Sequence, residues 1–280
     1  MTMRFEPAGT IGDGEGATGF REALRGLAVD REDRLLAVGD SEVRVFDPGG
    51  GAPRSWATET PGHAVATDSA GRVWIGEMEQ VEIFGPEGRR LDAWRDPGQL
   101  GLVTAIGFAG DEVYLADASA RCIHRYAADG RFLNEIGDRH RKGGFHIPNG
   151  VVDFAIDDAG ILHVANPGMH RVERFRPDGD LLDHFGRFDG QDPAGFPGCC
   201  NPTNLTLDRA GRVIVTEKAG PRAKVYSPEG GLLSVLDDPG YDPAAKNMDC
   251  ALDSTGRLYV ADTARLQIFV FQAVAGERAG

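Results

Sequence analysis

Residues 161–175, ILHVANPGMHRVERF, and 257–271, RLYVADTARLQIFVF, are two copies of one pattern. Each is a short apolar strand, a polar turn, and a second strand that closes on an aromatic. Strands of four to six residues rich in Val and Ile, with turns between them, are too short to be useful helices. The pattern recurs along nearly the whole chain, and a period of 40–50 residues marks a repeat architecture.

Working outward, each unit opens with an apolar run: GLAVD at 26–30, AVATD at 64–68, TAIGF at 104–108, DFAID at 153–157, NLTLD at 204–208 and DCALD at 249–253. The second strands read RLLAVG, RVWIGE, EVYLAD, ILHVAN, RVIVTE and RLYVAD, and the third strands close on Phe46, Phe84, Tyr126, Phe175, Tyr226 and Phe269. PEG at 86–88, ADG at 128–130, PDG at 177–179 and PEG at 228–230 supply hairpin turns to a fourth strand.

Six copies of four strands predict an all-β, six-bladed propeller, in which radial repetition leaves few sheet edges exposed. The last unit lacks a fourth strand, and RFEPAGTIGD near the N-terminus matches RFLNEIGD at 131–138. We therefore expect a single domain over 1–280: residues 1–12 as the outer strand of blade six, repeats over 22–272, and a tail over 273–280.

These second and third strands resemble NHL repeats. Taken together, FPGCCNP, NPGMHR and EKAGPR resemble a bacterial subgroup of NHL-repeat proteins with a Cys-Cys-Asn-Pro loop. More distantly, HIPNG at 146–150 resembles the Pro-Asn-Gly metal segment of gluconolactonase-type propellers, with Asn149 two residues further from its strand. That resemblance implies a Ca²⁺-dependent site. Amidating lyases on six-bladed NHL propellers hold Zn²⁺ with three histidines. The histidines at top-face positions here are His63, His146 and His170, with His63 across the ring from blade five.

Bulk composition bounds the function. Hydrophobic content of 41% and charged content of 26% suit a globular chain with a real core. A net charge of −13 argues against a nucleic-acid partner, which would need a broad basic surface. No run approaches the roughly 18 apolar residues of a membrane span. MTMRFEPAGT has no apolar h-region, so the expected location is cytoplasmic, with Cys122, Cys199, Cys200 and Cys250 reduced.

Departures from the repeat locate the candidate site. The connections before blades four, five and six are long: 137–150, 186–203 and 237–248. Long loops in compact domains are often functional. They share the top face with the turns joining second and third strands.

Four residues before the Asp that ends each inner run stand Gly26, Ala64, Thr104, Asp153, Asn204 and Asp249. Small residues fill the first half of the ring; Asp153, Asn204 and Asp249 form an all-oxygen set suited to Ca²⁺ or Mg²⁺. The alternative is that they cap strand ends. The second strands close on Gly39, Glu77, Asp117, Asn166, Glu217 and Asp262, whose expected role is mainly structural.

Cys199 and Cys200 precede Asn201 in a top loop, where a thiol pair can bind Zn or Cu, cycle through a disulfide or supply a nucleophile. Arg171, Arg222, Lys218, His146, His170, Asn166 and Asn201 are candidate substrate contacts, and the basic run Arg139, His140, Arg141 and Lys142 lies beside them.

The expectation is a small-molecule or metal-binding propeller, in the enzymatic version a metal-assisted hydrolase or lyase acting on a small anionic molecule. Asp153, Asn204 and Asp249 are its metal ligands, and Glu217, Cys199 or Cys200 its base or nucleophile. The alternatives are a non-catalytic protein-interaction module and a thiol redox or soft-metal protein built on Cys199 and Cys200.

Overall fold

A computed structural model describes residues 3–12, 19–96, 98–137, 143–218, 220–236 and 239–275. They form six four-stranded antiparallel sheets arranged as the blades of a propeller. Inner strands are Gly26–Val29, Ala64–Thr67, Val103–Ala109, Asp153–Ile156, Leu205–Leu207 and Cys250–Leu252, in blades one to six. Among the described residues no helix is long and apolar enough to cross a membrane.

The sequence pattern explains the inner hairpins. Asp30, Asp68, Asp157, Asp208 and Asp253 end their inner runs because each carboxylate caps the following turn. One oxygen of each accepts the backbone N–H groups two and four residues on, satisfying donors that the ladder cannot reach. These turns lie on the bottom face. Inner strands therefore begin at the top, where the long connections arrive.

Between blades the core is apolar. Six clusters, one for each pair of neighbouring blades, pack the second- and third-strand side chains of one blade against the next. The aromatics that close the third strands, Phe46 to Phe269, are all buried in these layers. Fully burying such side chains stabilises by roughly 1.5–3 kcal/mol each.

Blade six is completed as expected. Met3–Ile11 pairs antiparallel with Gln267–Ala275, from Met3 opposite Ala275 to Ile11 opposite Ile268. Phe5 buries its ring in the layer between blades five and six. The third strand continues to Ala275, three residues into the segment read as a tail, because it tracks the whole length of the N-terminal strand.

Gly39 shows why blade one differs from the others. A Cβ there would come within 1.9 Å of the Ala23 carbonyl oxygen, so the connection entering this blade excludes any side chain at the end of its second strand.

Candidate functional site

Asp153, Asn204 and Asp249 open the inner strands of blades four, five and six, and the structure brings them together around the axis. Asp153 Oδ2 accepts the Leu205 N–H at 2.7 Å, and Asp249 Oδ2 accepts the Leu27 N–H at 2.7 Å. Each acid thus ties its blade to the next inner strand, blade six to blade one included. Thr104 in blade three does the same work, donating its hydroxyl to the Val152 carbonyl at 2.7 Å.

The amide of Asn204 stands between the two acids and hydrogen-bonds toward both. Burial, then the charge of Asp249, pushes the Asp153 carboxyl well above the usual range. Asp249 is pushed up to about 6 by burial, opposed by the bonds from Leu27, Cys250 and Asn204. The Asn204 Oδ1 is a buried atom with no hydrogen-bond partner.

Two cavities stack along the axis and share Thr104. The upper one, about 340 Å³, lies at the top mouth and is lined by Arg25, His63, Asn149, Asn204 and Lys246 among others. The lower one, about 450 Å³, is the channel itself and includes Asp153 and Asp249. The trio therefore sits at the junction, with acids below and cationic side chains above.

Asn149 holds Asn247 Oδ1 at 3.0 Å through its amide nitrogen, while its own buried Oδ1 has no partner. Arg25 Nη1 is likewise buried and unpartnered. Burial, then the Arg25 charge, lowers the His63 imidazole to about 4, so this ring is neutral at pH 7.

The remaining candidates do not line either cavity. Glu217 is buried in blade five, in an ion pair with Lys224 Nζ at 2.7 Å and another with Arg222. Lys224 is itself buried and donates to the Gly195 carbonyl at 2.6 Å. In the strand register Arg222 is the direct partner of Glu217, so the hairpin's own carboxylate holds its guanidinium.

Blade four repeats the arrangement. Arg171 donates through Nε to Glu173 at 2.8 Å, and Asn166 donates to the other oxygen of Glu173 at 3.1 Å. Asn166 Oδ1 accepts the His146 backbone N–H at 3.1 Å. His146, Asn166 and Arg171 border a separate groove of about 720 Å³ between blades three and four. His170 stacks edge-on against Phe188 with ring centroids 5.0 Å apart. His63, His146 and His170 thus do not form a common site. The basic run 139–142 lies outside the described residues.

The cysteine loop is a third locus. Asn201 is buried and clamps the loop: its amide donates to the carbonyls of Pro197 at 2.7 Å and Lys218 at 3.0 Å, and its oxygen accepts the Lys218 N–H at 2.8 Å. Cys199 is exposed, Cys200 is buried, and their sulfurs are 3.1 Å apart. The hydrogen bond from Cys200, then the Lys218 charge, lowers the Cys199 thiol; burial raises that of Cys200.

One group lies outside the candidates drawn from the sequence, where Cys122 is named only as a reduced cysteine. Cys122, His124 and Glu135 of blade three can each place a ligand atom within 4.8 Å of the others, the only such group of His, Cys, Asp and Glu among the described residues. Its signal was available. Cys-Ile-His puts both ligands on one face of a strand, and a carboxylate stands opposite the histidine in the outer strand.

No known family model matches the chain. It is 25% identical over 184 residues to human NHL repeat-containing protein 3, covering 60% of this chain and 52% of that protein, so it spans about half the length of the curated relative it matches.

Among solved structures, a protein of unknown function from Bacteroides thetaiotaomicron superposes with a TM-score of 0.73 at 16% identity, over 97% of this chain and 76% of the other. A gluconolactonase from Xanthomonas campestris gives 0.67 at 19% identity, over 90% and 86%. A streptogramin B lyase gives 0.60 at 12% identity, over 97% of each chain. At these identities the likeness to solved structures establishes the propeller fold.

Proposed function

We propose that this propeller binds a small anionic molecule in the axial cavity at its top mouth, above a divalent cation that Asp153 and Asp249 would hold together with Asn204 once its amide turns Oδ1 toward the acids, and that the pair supports hydrolysis or elimination. The observation that carries the reading is the coincidence of unsatisfied oxygens with crowded acids. Asn204 Oδ1 and Asn149 Oδ1 are buried without partners at the same cavity that meets two mutually repelling carboxylates.

Leaving such atoms unsatisfied costs about 1–3 kcal/mol each, and an all-oxygen donor set fits a hard cation. A bound cation would supply Lewis-acid polarisation of a substrate oxygen. The chain's own groups do the rest. Arg25 and Lys246 at the mouth attract and orient an anion. His63, neutral at pH 7, can accept a proton from a substrate or water at its nitrogen. Glu217 is spoken for by Lys224 and Arg222, so the base role passes to His63. The gluconolactonase and lyase likenesses are compatible with this chemistry.

The test is a Ca²⁺ and Mg²⁺ titration of metal-stripped protein, followed by calorimetry. Saturable binding of one ion, abolished in Asp153→Asn and Asp249→Asn, supports the site. Absence of binding at millimolar ion, or binding untouched by both substitutions, sinks it. Anion binding at the mouth is read with inorganic phosphate, which Arg25→Ala should weaken.

A second reading rests on the sulfur pair. An exposed thiol with a lowered pKa, 3.1 Å from a buried partner, is suited to thiol redox chemistry. A reversible loss of two free thiols under mild oxidant, absent in Cys199→Ser, would favour it over the axial reading. A protein-interaction face is the remaining alternative; the concave cavity at the mouth, with Arg25, His63, Asn149 and Lys246 converging on it, argues for a small molecule instead.

A further inference from the structure

Blade three contains metal-binding side chains that neither reading uses. Cys122 and His124 project from the same face of its third strand. Across the ladders, Asp117 stands opposite Cys122 and Glu135 opposite His124. Asp117, Cys122 and His124 are fully buried. Cys122 Sγ is 3.7 Å from His124 Nε2, and Asp117 Oδ2 is 3.3 Å from the same nitrogen.

We infer that these residues form a zinc site, with Cys122 Sγ, His124 Nδ1 and a Glu135 oxygen as ligands and Asp117 behind the imidazole; one ligand atom of each of the three lies within 4.8 Å of the others. Zinc bonds of about 2.3 Å to sulfur and about 2.0–2.1 Å to nitrogen and oxygen at tetrahedral angles require an S···N edge of about 3.6 Å and an N···O edge of about 3.3 Å. His124 Nδ1 stands 4.0 Å from Cys122 Sγ and 4.0 Å from Glu135 Oε1, so small side-chain rotations close both edges. Asp117 Oδ2 lies 3.3 Å from His124 Nε2, where the outer carboxylate of a carboxylate–histidine–zinc unit belongs.

Two further observations support the assignment. First, the equivalent positions of blade five hold Glu217, Arg222 and Lys224, so there the carboxylate ending the second strand meets a buried lysine ammonium at 2.7 Å. Blade three replaces that arginine and lysine with Cys122 and His124, so Asp117 meets an imidazole nitrogen at 3.3 Å where Glu217 meets the ammonium, and the other ring nitrogen is left to face Cys122 and Glu135. Second, the site is walled by rings. Tyr126 and Phe132 lie 6.2 and 6.1 Å from the His124 centroid, and the buried Tyr126 hydroxyl has no hydrogen-bond partner. A mixed sulfur, nitrogen and oxygen set in such surroundings selects zinc over Ca²⁺ or Mg²⁺. Glu135, 14% exposed, is its member nearest solvent.

The test uses the full chain in a Cys199→Ser/Cys200→Ser background, so that the vicinal thiols cannot contribute. Protein equilibrated with micromolar Zn²⁺, or with Co²⁺ as a spectroscopic probe, is freed of excess ion and assayed for bound metal. One equivalent per chain and a thiolate-to-cobalt charge-transfer band are expected. Cys122→Ser and His124→Ala should lose the band and at least about a hundredfold in affinity, and Asp117→Asn, which acts through the imidazole, about ten- to a hundredfold. Asp249→Asn should retain both metal and band, which separates this site from the axial one. Circular dichroism verifies that each variant is folded, with Cys122→Ala as the substitute should Cys122→Ser unfold. No bound zinc in the parent, or a thiolate band that survives in a folded Cys122 variant, overturns the assignment.

Discussion

Asp249 in the last blade accepts the backbone N–H of Leu27 in the first at 2.7 Å, and so joins inner strands 222 residues apart. The same carboxylate lines the channel with Asp153 and is hydrogen-bonded by Asn204. One side chain thus closes the ring and charges the candidate site, and the two roles can be separated by substitution. Asp249→Asn keeps a carbonyl oxygen for Leu27 and removes the charge. Asp249→Ala removes both, leaving a donor unsatisfied at about 1–3 kcal/mol. Chemical denaturation should rank Asp249→Ala well below Asp249→Asn; equal stabilities would deny the bond to Leu27 any part in closure.

The pH dependence follows from the direction of the shifts. Asp249 titrates at about 6 in the folded chain against an ordinary 3.8, so folding is opposed once the group ionises. Its stability contribution is complete below about pH 4 and is lost as pH rises through about 6. The ceiling is about 3 kcal/mol for that shift, reduced by solvent in the channel. Metal-free wild type should therefore lose more thermal stability than Asp249→Asn between pH 4 and 7, and Ca²⁺ should restore it only in wild type. Parallel pH profiles for the two proteins would contradict this.

Glu217 provides a sharper contrast between structural and catalytic roles. Its partner Lys224 is fully buried, and burial lowers that ammonium below the ordinary lysine range while Glu217 pulls it back. Glu217→Gln strands the lysine, at an expected cost of about 3–5 kcal/mol. Adding Lys224→Met should recover most of the loss. A Glu217→Gln protein of unchanged melting temperature but abolished turnover would instead return Glu217 to the chemistry.

The N-terminal strand should be indispensable for the same reason that it was recognisable. Phe5 is 1% exposed and packs in the cluster that contains Phe269 and Phe271. Phe5→Ala should cost about 3–5 kcal/mol, measured by denaturant unfolding. A loss below about 1 kcal/mol would mean that the closing strand contributes pairing without packing.

The ring and its axis were readable because each depends on a single position per repeat. The Asp ending an inner run caps its own turn, and the residue four places earlier faces the channel, so aligning six short runs sufficed to group Asp153, Asn204 and Asp249. The rim was not readable in that way. Arg171 and Arg222 looked like ligands for an anion, yet carboxylates of their own hairpins, Glu173 and Glu217, reach them first. Charge counting along a loop misses such pairs, since strand register decides them. The same register, applied to Cys-Ile-His at 122–124, would have drawn attention to blade three.

The vicinal cysteines should prove unequal. Cys199 is exposed, its thiol lowered first by the hydrogen bond from Cys200 and then by Lys218, whereas burial raises Cys200. The thiolate is the reactive form, so alkylation at neutral pH should modify Cys199 first, with Cys122, Cys200 and Cys250 protected by burial. Because the donor bond is the larger cause, Cys200→Ala should move the pH–rate profile of Cys199 upward by more than Lys218→Met does. Peptide mass spectrometry after timed iodoacetamide quenching measures both. Equal modification of the two sulfurs, or a profile indifferent to both substitutions, would remove the thiol pair from any proposal of function and leave the axial carboxylates to carry it.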